Sequence, residues 1–175
     1  MKFRPGALML IAPLALTILA GCAMNKSDDE ASSSGTSTSR DAADSLEKVS
    51  SSIYELIKVK GKASDSRAGV MDCSGKDTKK YFQVFHPWSF HPASAGDLGA
   101  AMEQLKTELP KHGWKIVEYG PDSSKNKNIN LTADNDEKKV GVHIVQMSKD
   151  DPPGLSLNLV SGCYQVPEGE EVQRF

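Results

Sequence analysis

The chain has few cysteines, no surplus of basic charge and none of the short spacings that announce a well-understood reaction. Its 21 Lys and Arg residues are outnumbered by 23 Asp and Glu, for a net charge of −2. A mildly acidic protein has no electrostatic reason to seek a nucleic-acid backbone, so that partner class is set aside. There is no nucleophile elbow, phosphate-binding loop or zinc-protease helix, and the reactions those spacings serve lose their support. No internal repeat is present. The apolar share is 38%, diluted by a polar stretch near the start; the core must lie further along, and the length suits one domain.

What is there begins with an export signal. Lys2 and Arg4 precede a run from Gly6 to Ala20 that is apolar apart from Thr17, the basic and apolar regions of a signal peptide. A spanning helix needs about 20 apolar residues, and this run stops short. It ends in Leu19-Ala20-Gly21-Cys22, which reads as a lipobox: small residues at the cleavage point, then a thiol that takes up diacylglycerol. Residues 1–21 are expected to be a lipoprotein signal peptide, and Cys22 the lipidated N-terminus. The expected location is the extracytoplasmic face of the cell membrane. One acyl chain binds only marginally, whereas two or three of the palmitate type anchor stably. Removing residues 1–21 takes away two basic residues and no acidic one, so the charge falls to −4.

With Cys22 assigned to lipid, the odd count of three cysteines becomes an even pair, Cys73 and Cys163. An oxidising exterior favours a disulfide, the alternative being a metal or reactive-thiol pair. Closing a loop of about 90 residues stabilises by roughly 4–5 kcal/mol on the chain-entropy view.

Residues 22–39 are Ser, Thr, Asp, Asn and Gly with almost no large apolar side chain, the composition of a disordered tether. Its expected reach is roughly 20–25 Å. Residues 40–167 form the expected domain and residues 168–175 a polar tail. Thr38 to Asp41 fits a capping box, after which Leu46, Val49, Ile53, Leu56 and Ile57 recur at helical steps. Residues 59–68 read as a solvated loop carrying Lys60, Lys62 and Arg67; residues 69–73 and 81–86 read as strands. Ser94 to Asp97 fits a second capping box, followed by the stripe Leu98, Ala101, Met102, Leu105 and Leu109; Pro110 strains the last turn and Gly113 ends it. Four alternating segments follow at 114–119, 128–133, 140–144 and 155–159, an antiparallel meander with one covered face. Period two puts Ser161 and Cys163 on the side of Leu155, Leu157 and Leu159. The expected fold is α+β: two helices packed on one face of an antiparallel sheet of about four to five strands, with one disulfide.

The most unusual stretch is His86-Pro87-Trp88-Ser89-Phe90-His91-Pro92, read as a loop enclosed by two prolines. His86, Trp88, Phe90 and His91 are the candidate ligand contacts: imidazoles ligate metals, and exposed aromatic rings stack on sugars or apolar ligands. No third histidine or carboxylate has a spacing that completes a metal site, so no metal and no cofactor is expected. The plainer reading is that Trp88 and Phe90 cap the core between strand and helix. His112 ends a helix, where the dipole favours a cation, and His143 lies out of phase with Val142 and Ile144, facing solvent. No catalytic residue is assigned.

The order of these features resembles small actinobacterial cell-envelope lipoproteins, among them the LppA-type lipoproteins of mycobacteria. The features are a lipobox, a helix, the lone Cys73, a strand, a helix ending in His112-Gly113-Trp114, and a last strand running from Leu155 to Ser161-Gly162-Cys163-Tyr164. The resemblance covers roughly residues 42–166. It implies an envelope setting and an α+β fold, carries no established reaction, and does not extend to the His-Pro-Trp stretch. The expected function is a membrane-anchored surface lipoprotein that binds a protein, glycan or lipid through its exposed sheet face or the Trp88 segment. The alternative is an envelope hydrolase whose site no motif reveals.

Overall fold

The computed structural model describes residues 32–175. The expected signal peptide, Cys22 and the first part of the spacer lie outside the described residues. Among the described residues, no helix is long and apolar enough to cross a membrane.

The first helix, α1 (Ser39–Ile57), starts where its cap predicts: the Thr38 hydroxyl accepts the Asp41 N–H at 3.1 Å and donates to the Asp41 carboxylate at 2.8 Å. Its buried face holds Ala42, Ala43, Leu46, Ser50, Ile53, Leu56 and Ile57. The second, α2 (Leu98–Glu108), starts differently from expectation. Ser94 makes no side-chain cap; its carbonyl accepts the Asp97 N–H at 3.0 Å, and a 3₁₀ turn (Ala95–Asp97) leads into the helix. Pro110 sits at the start of a 3₁₀ turn (Leu109–His112), where no helical N–H is required of it, and Gly113 takes the left-handed φ of 81° that stops the chain.

The sheet is larger than expected. Among the described residues nine strands are paired: β1 (Ser33–Thr36), β2 (Gly61–Ala63), β3 (Gly69–Asp72), β4 (Tyr81–Pro92), β5 (Lys115–Pro121), β6 (Ile129–Asn135), β7 (Val140–Met147), β8 (Gly154–Ser161) and β9 (Cys163–Gln165). Strands β5 to β8 are the expected antiparallel meander. Strand β4 is the long organiser: β8 and β9 run along one edge, and β3 and β2 follow each other along the other. The sheet is mixed because β1 pairs with β9 in parallel.

The additional strands β1, β2 and β9 are three or four residues long and carry no alternation of their own. They exist because β4 and β9 present unpaired backbone groups that must find partners, a cause absent from their own side chains. Two expectations are corrected on this ground. The segment 22–39, read as a disordered tether, ends in strand β1 and the cap of α1, and the solvated loop 59–68 contains β2. Residues 168–175 are polar but folded back: the Val172 N–H donates to the Lys79 carbonyl at 2.9 Å, the Gln173 N–H to the Ser39 hydroxyl at 3.1 Å, and Arg174 pairs with Asp72.

The final strand breaks at Gly162, between β8 and β9. There the Val84 N–H bonds to the Ser161 hydroxyl at 3.0 Å. A Cβ at Gly162 would lie 2.2 Å from the Ser32 carbonyl oxygen, so β1 can approach only because no side chain is present. The disulfide Cys73–Cys163 ties the end of β3 to the start of β9, with Cα atoms 5.9 Å apart. Inward residues of both helices and of the sheet form one apolar cluster, in which Phe82, Phe90, Leu105, Leu131, Ile144 and Leu157 are fully buried.

Candidate functional site

The stretch from His86 to Pro92 is strand, and that changes what its residues do. Alternation along β4 sends His86, Trp88 and Phe90 inward and leaves Pro87, Ser89 and His91 on the other face. The expected proline-bounded loop is overruled because Pro87 sits where its missing N–H is not needed. Two residues on, Ser89 exchanges bonds with Ser64 (N–H to hydroxyl at 3.0 Å, carbonyl to N–H at 2.8 Å). Pro87 has the same parity and therefore faces the same edge, in the gap between the β3 and β2 pairings.

Parity also separates the two histidines. Residues five apart on a strand point to opposite faces, and the His91 Nδ1 meets the Pro153 carbonyl at 3.1 Å, far from the partners of His86. Phe90 is fully buried, at 0% exposure, and has no surface to offer a ligand; Trp88 is 7% exposed and its Nε1 has no partner in the protein. Among the described residues, no group of three or more His, Cys, Asp or Glu side chains is placed to hold a metal ion.

The inward face of β4 instead builds a groove with α1. Ser50, Ser51, Tyr54 and Glu55 form the helix side, Ala63 and Ser64 the rim, and His86 and Trp88 the floor, around a hollow of about 320 Å³. Tyr54 is 41% exposed and stands edge-on to Trp88, ring centroids 6.2 Å apart, and to Phe90 at 6.1 Å. Spacing explains its place: Ser50 and Tyr54 are one helical turn apart, so they share a face.

His86 is held at both ring nitrogens. Nδ1 lies 2.7 Å from the Ser50 hydroxyl, and Nε2 lies 3.2 Å from the Ser66 carbonyl and 3.4 Å from the Ser66 hydroxyl. A carbonyl only accepts, so Nε2 carries the proton, and in the neutral ring Nδ1 is left to accept the Ser50 O–H. The segment that supplies Ser66 is itself pinned: the Ala68 N–H and the Arg67 Nε both reach the Glu47 carboxylate, at 3.0 and 3.1 Å.

No protein-family model, curated protein or solved structure matches this chain. Residue roles therefore rest on the groove's own geometry. Of the candidate contacts read from sequence, His86 and Trp88 line it, Phe90 lies beneath, and His91 is on the opposite face. Ser50, Tyr54, Ser64 and Ser66 were not foreseen. One signal was present for Ser50, which falls on the apolar stripe of α1 four residues after Leu46 and three before Ile53. A hydroxyl on a buried stripe needs a partner.

Proposed function

We propose that the protein is a cell-envelope lipoprotein, anchored at the extracytoplasmic face through acyl chains on Cys22, whose head domain binds a neutral sugar in the groove between α1 and β4. The observation that carries this reading is the pairing of two aromatic rings, Tyr54 and Trp88, with the hydroxyls of Ser51 and Ser64 and the single carboxylate of Glu55 around one hollow. A sugar ring has apolar C–H faces that stack on aromatic surfaces and an equator of hydroxyls that serine and carboxylate groups bond. A lipid tail has no use for that polar rim, and a flat protein surface does not enter a hollow of about 320 Å³. The likeness to LppA-type lipoproteins agrees with the envelope setting and assigns no ligand.

The anchor and groove are compatible. Nine residues separate Cys22 from Ser32. Tyr54 lies roughly 22 Å along α1 from Ser39, which follows the tethered strand, so the groove sits away from the anchored edge.

The test is calorimetric titration of the full chain, in detergent, with soluble neutral oligosaccharides. We predict saturable binding that Tyr54→Ala weakens roughly two- to tenfold, the change expected if a ring–sugar contact is worth about as much as an aromatic pair, about 0.5–1.5 kcal/mol. Tyr54 is 41% exposed and stands outside the fully buried core, so the fold is expected to survive its removal. Absence of binding across neutral sugars would sink the reading.

A further inference from the structure

We propose that the groove is also a catalytic site, in which Ser50 is a nucleophile activated by His86 and cleaves short-chain carboxylic esters. The inference takes the groove as its site and does not require that the ligand be a sugar.

Three serines follow one another on α1, and only one departs from helical habit. Ser51 and Ser52 return their hydroxyls to the carbonyls of Glu47 and Lys48, at 2.9 and 3.0 Å, as exposed helical serines do. Ser50 directs its Oγ at the His86 Nδ1 instead, at 2.7 Å. The nucleophile–base distance is within the 2.6–3.2 Å range, roughly, that proton transfer requires. The base has its own orienter: Nε2–H points at the Ser66 carbonyl, which fixes the tautomer with Nδ1 free to take a proton. A carbonyl here occupies the place a carboxylate holds in the familiar serine triad. Ser66 is thus a positioning residue, and the segment bearing it is braced by Glu47.

The step balances without any cofactor. Ser50 Oγ forms a bond to the acyl carbon while its proton passes to His86 Nδ1. The tetrahedral intermediate collapses, the bond to the alkoxy group breaks, and that group leaves as an alcohol with the proton from Nδ1. Water then attacks the acyl-Ser50, giving its proton to Nδ1; Ser50 recovers that proton as the carboxylic acid departs. A carbonyl stabilises the transient imidazolium less than a carboxylate would, which slows both half-reactions. With an activated ester whose leaving group departs readily, acylation outpaces hydrolysis and the acyl-enzyme accumulates. Ser50 is only 4% exposed, on the helix side of the groove, which restricts the acyl group to a short one such as acetyl.

The test uses the full chain in detergent with p-nitrophenyl acetate, following nitrophenolate release and mapping acetylation by peptide mass spectrometry. The expected result is an acetyl group on the peptide at Ser50, absent in Ser50→Ala and slowed roughly 100-fold or more in His86→Gln, with Ser52→Ala, outside the groove, like wild type. Ser50→Cys, should the alanine variant lose its circular-dichroism signature, is expected to be acylated at position 50. No acetylation at Ser50 in the wild type, or release unchanged by Ser50→Ala, overturns the proposal. Either result leaves the sugar titration standing, and failed sugar binding leaves ester cleavage standing.

Discussion

Single side chains in this protein are placed by what their neighbours leave unpaired. Tyr119 shows it on the meander's edge strand: its hydroxyl donates to the Glu103 carboxylate and Lys106 Nζ stands 4.0 Å from its ring centroid. Burial, first, and the bond to Glu103 push its phenol up to about 12. The folded value lies above the ordinary value of 10.0, so the contribution of Tyr119 is complete below pH 10 and is lost as pH rises toward 12. We predict that melting temperature falls between pH 10 and 12 and falls less in Tyr119→Phe. Equal alkaline losses in the two proteins would show that the phenol is not involved.

At the scale of elements, β4 decides the architecture. It carries His86 and Trp88 to the groove, accepts β2 and β3 on one edge, and accepts β8 and β9 on the other. The partners at its N-terminal end are short, and the disulfide between Cys73 and Cys163 holds two of them, β3 and β9, across it. The cross-link closes a sequence separation of 90 residues, for which loop entropy alone is about 4–5 kcal/mol and measured values for native bridges are about 2–5. We predict that the double substitution Cys73→Ala, Cys163→Ala lowers the melting temperature by roughly 10 °C, and that reduction of the wild type does the same. A melting temperature unmoved by both would mean that the short strands are held by backbone pairing alone.

For the whole molecule, the proposed anchor and the head are joined by a short segment, because β1 absorbs residues that their composition assigns to a tether. We predict that Cys22→Ala moves the protein from the detergent phase to the aqueous phase or leaves an unprocessed precursor, whereas wild type stays with detergent. Unchanged partitioning would remove the lipid from the account. Much of the fold was legible beforehand. The Thr38 cap, the two helical stripes and the meander all appear, because each depends on contacts within one helical turn or on strand parity. The cysteine pair was legible for a different reason, the even count that remains once Cys22 is assigned to the proposed anchor. The groove was legible only in part: His86 and Trp88 stood out by composition, while their neighbours on α1 lie more than 30 residues earlier in the chain.

By itself the sequence determined where the helices run and which strand residues face the core, Ser161 with the leucines among them, since periodicity and caps are local physics. Cys163, expected on that same face, is not, because the break at Gly162 shifts the register by one and sets Tyr164 opposite the inward Phe82. Only the tertiary structure decided that β4 continues through Pro87, that three- and four-residue polar segments become strands, and that Ser50 meets His86. Each of these depends on the position of a distant partner: an open edge that spares a proline its N–H, an unpaired backbone that recruits a strand, and an imidazole that turns a helical serine away from its own carbonyls.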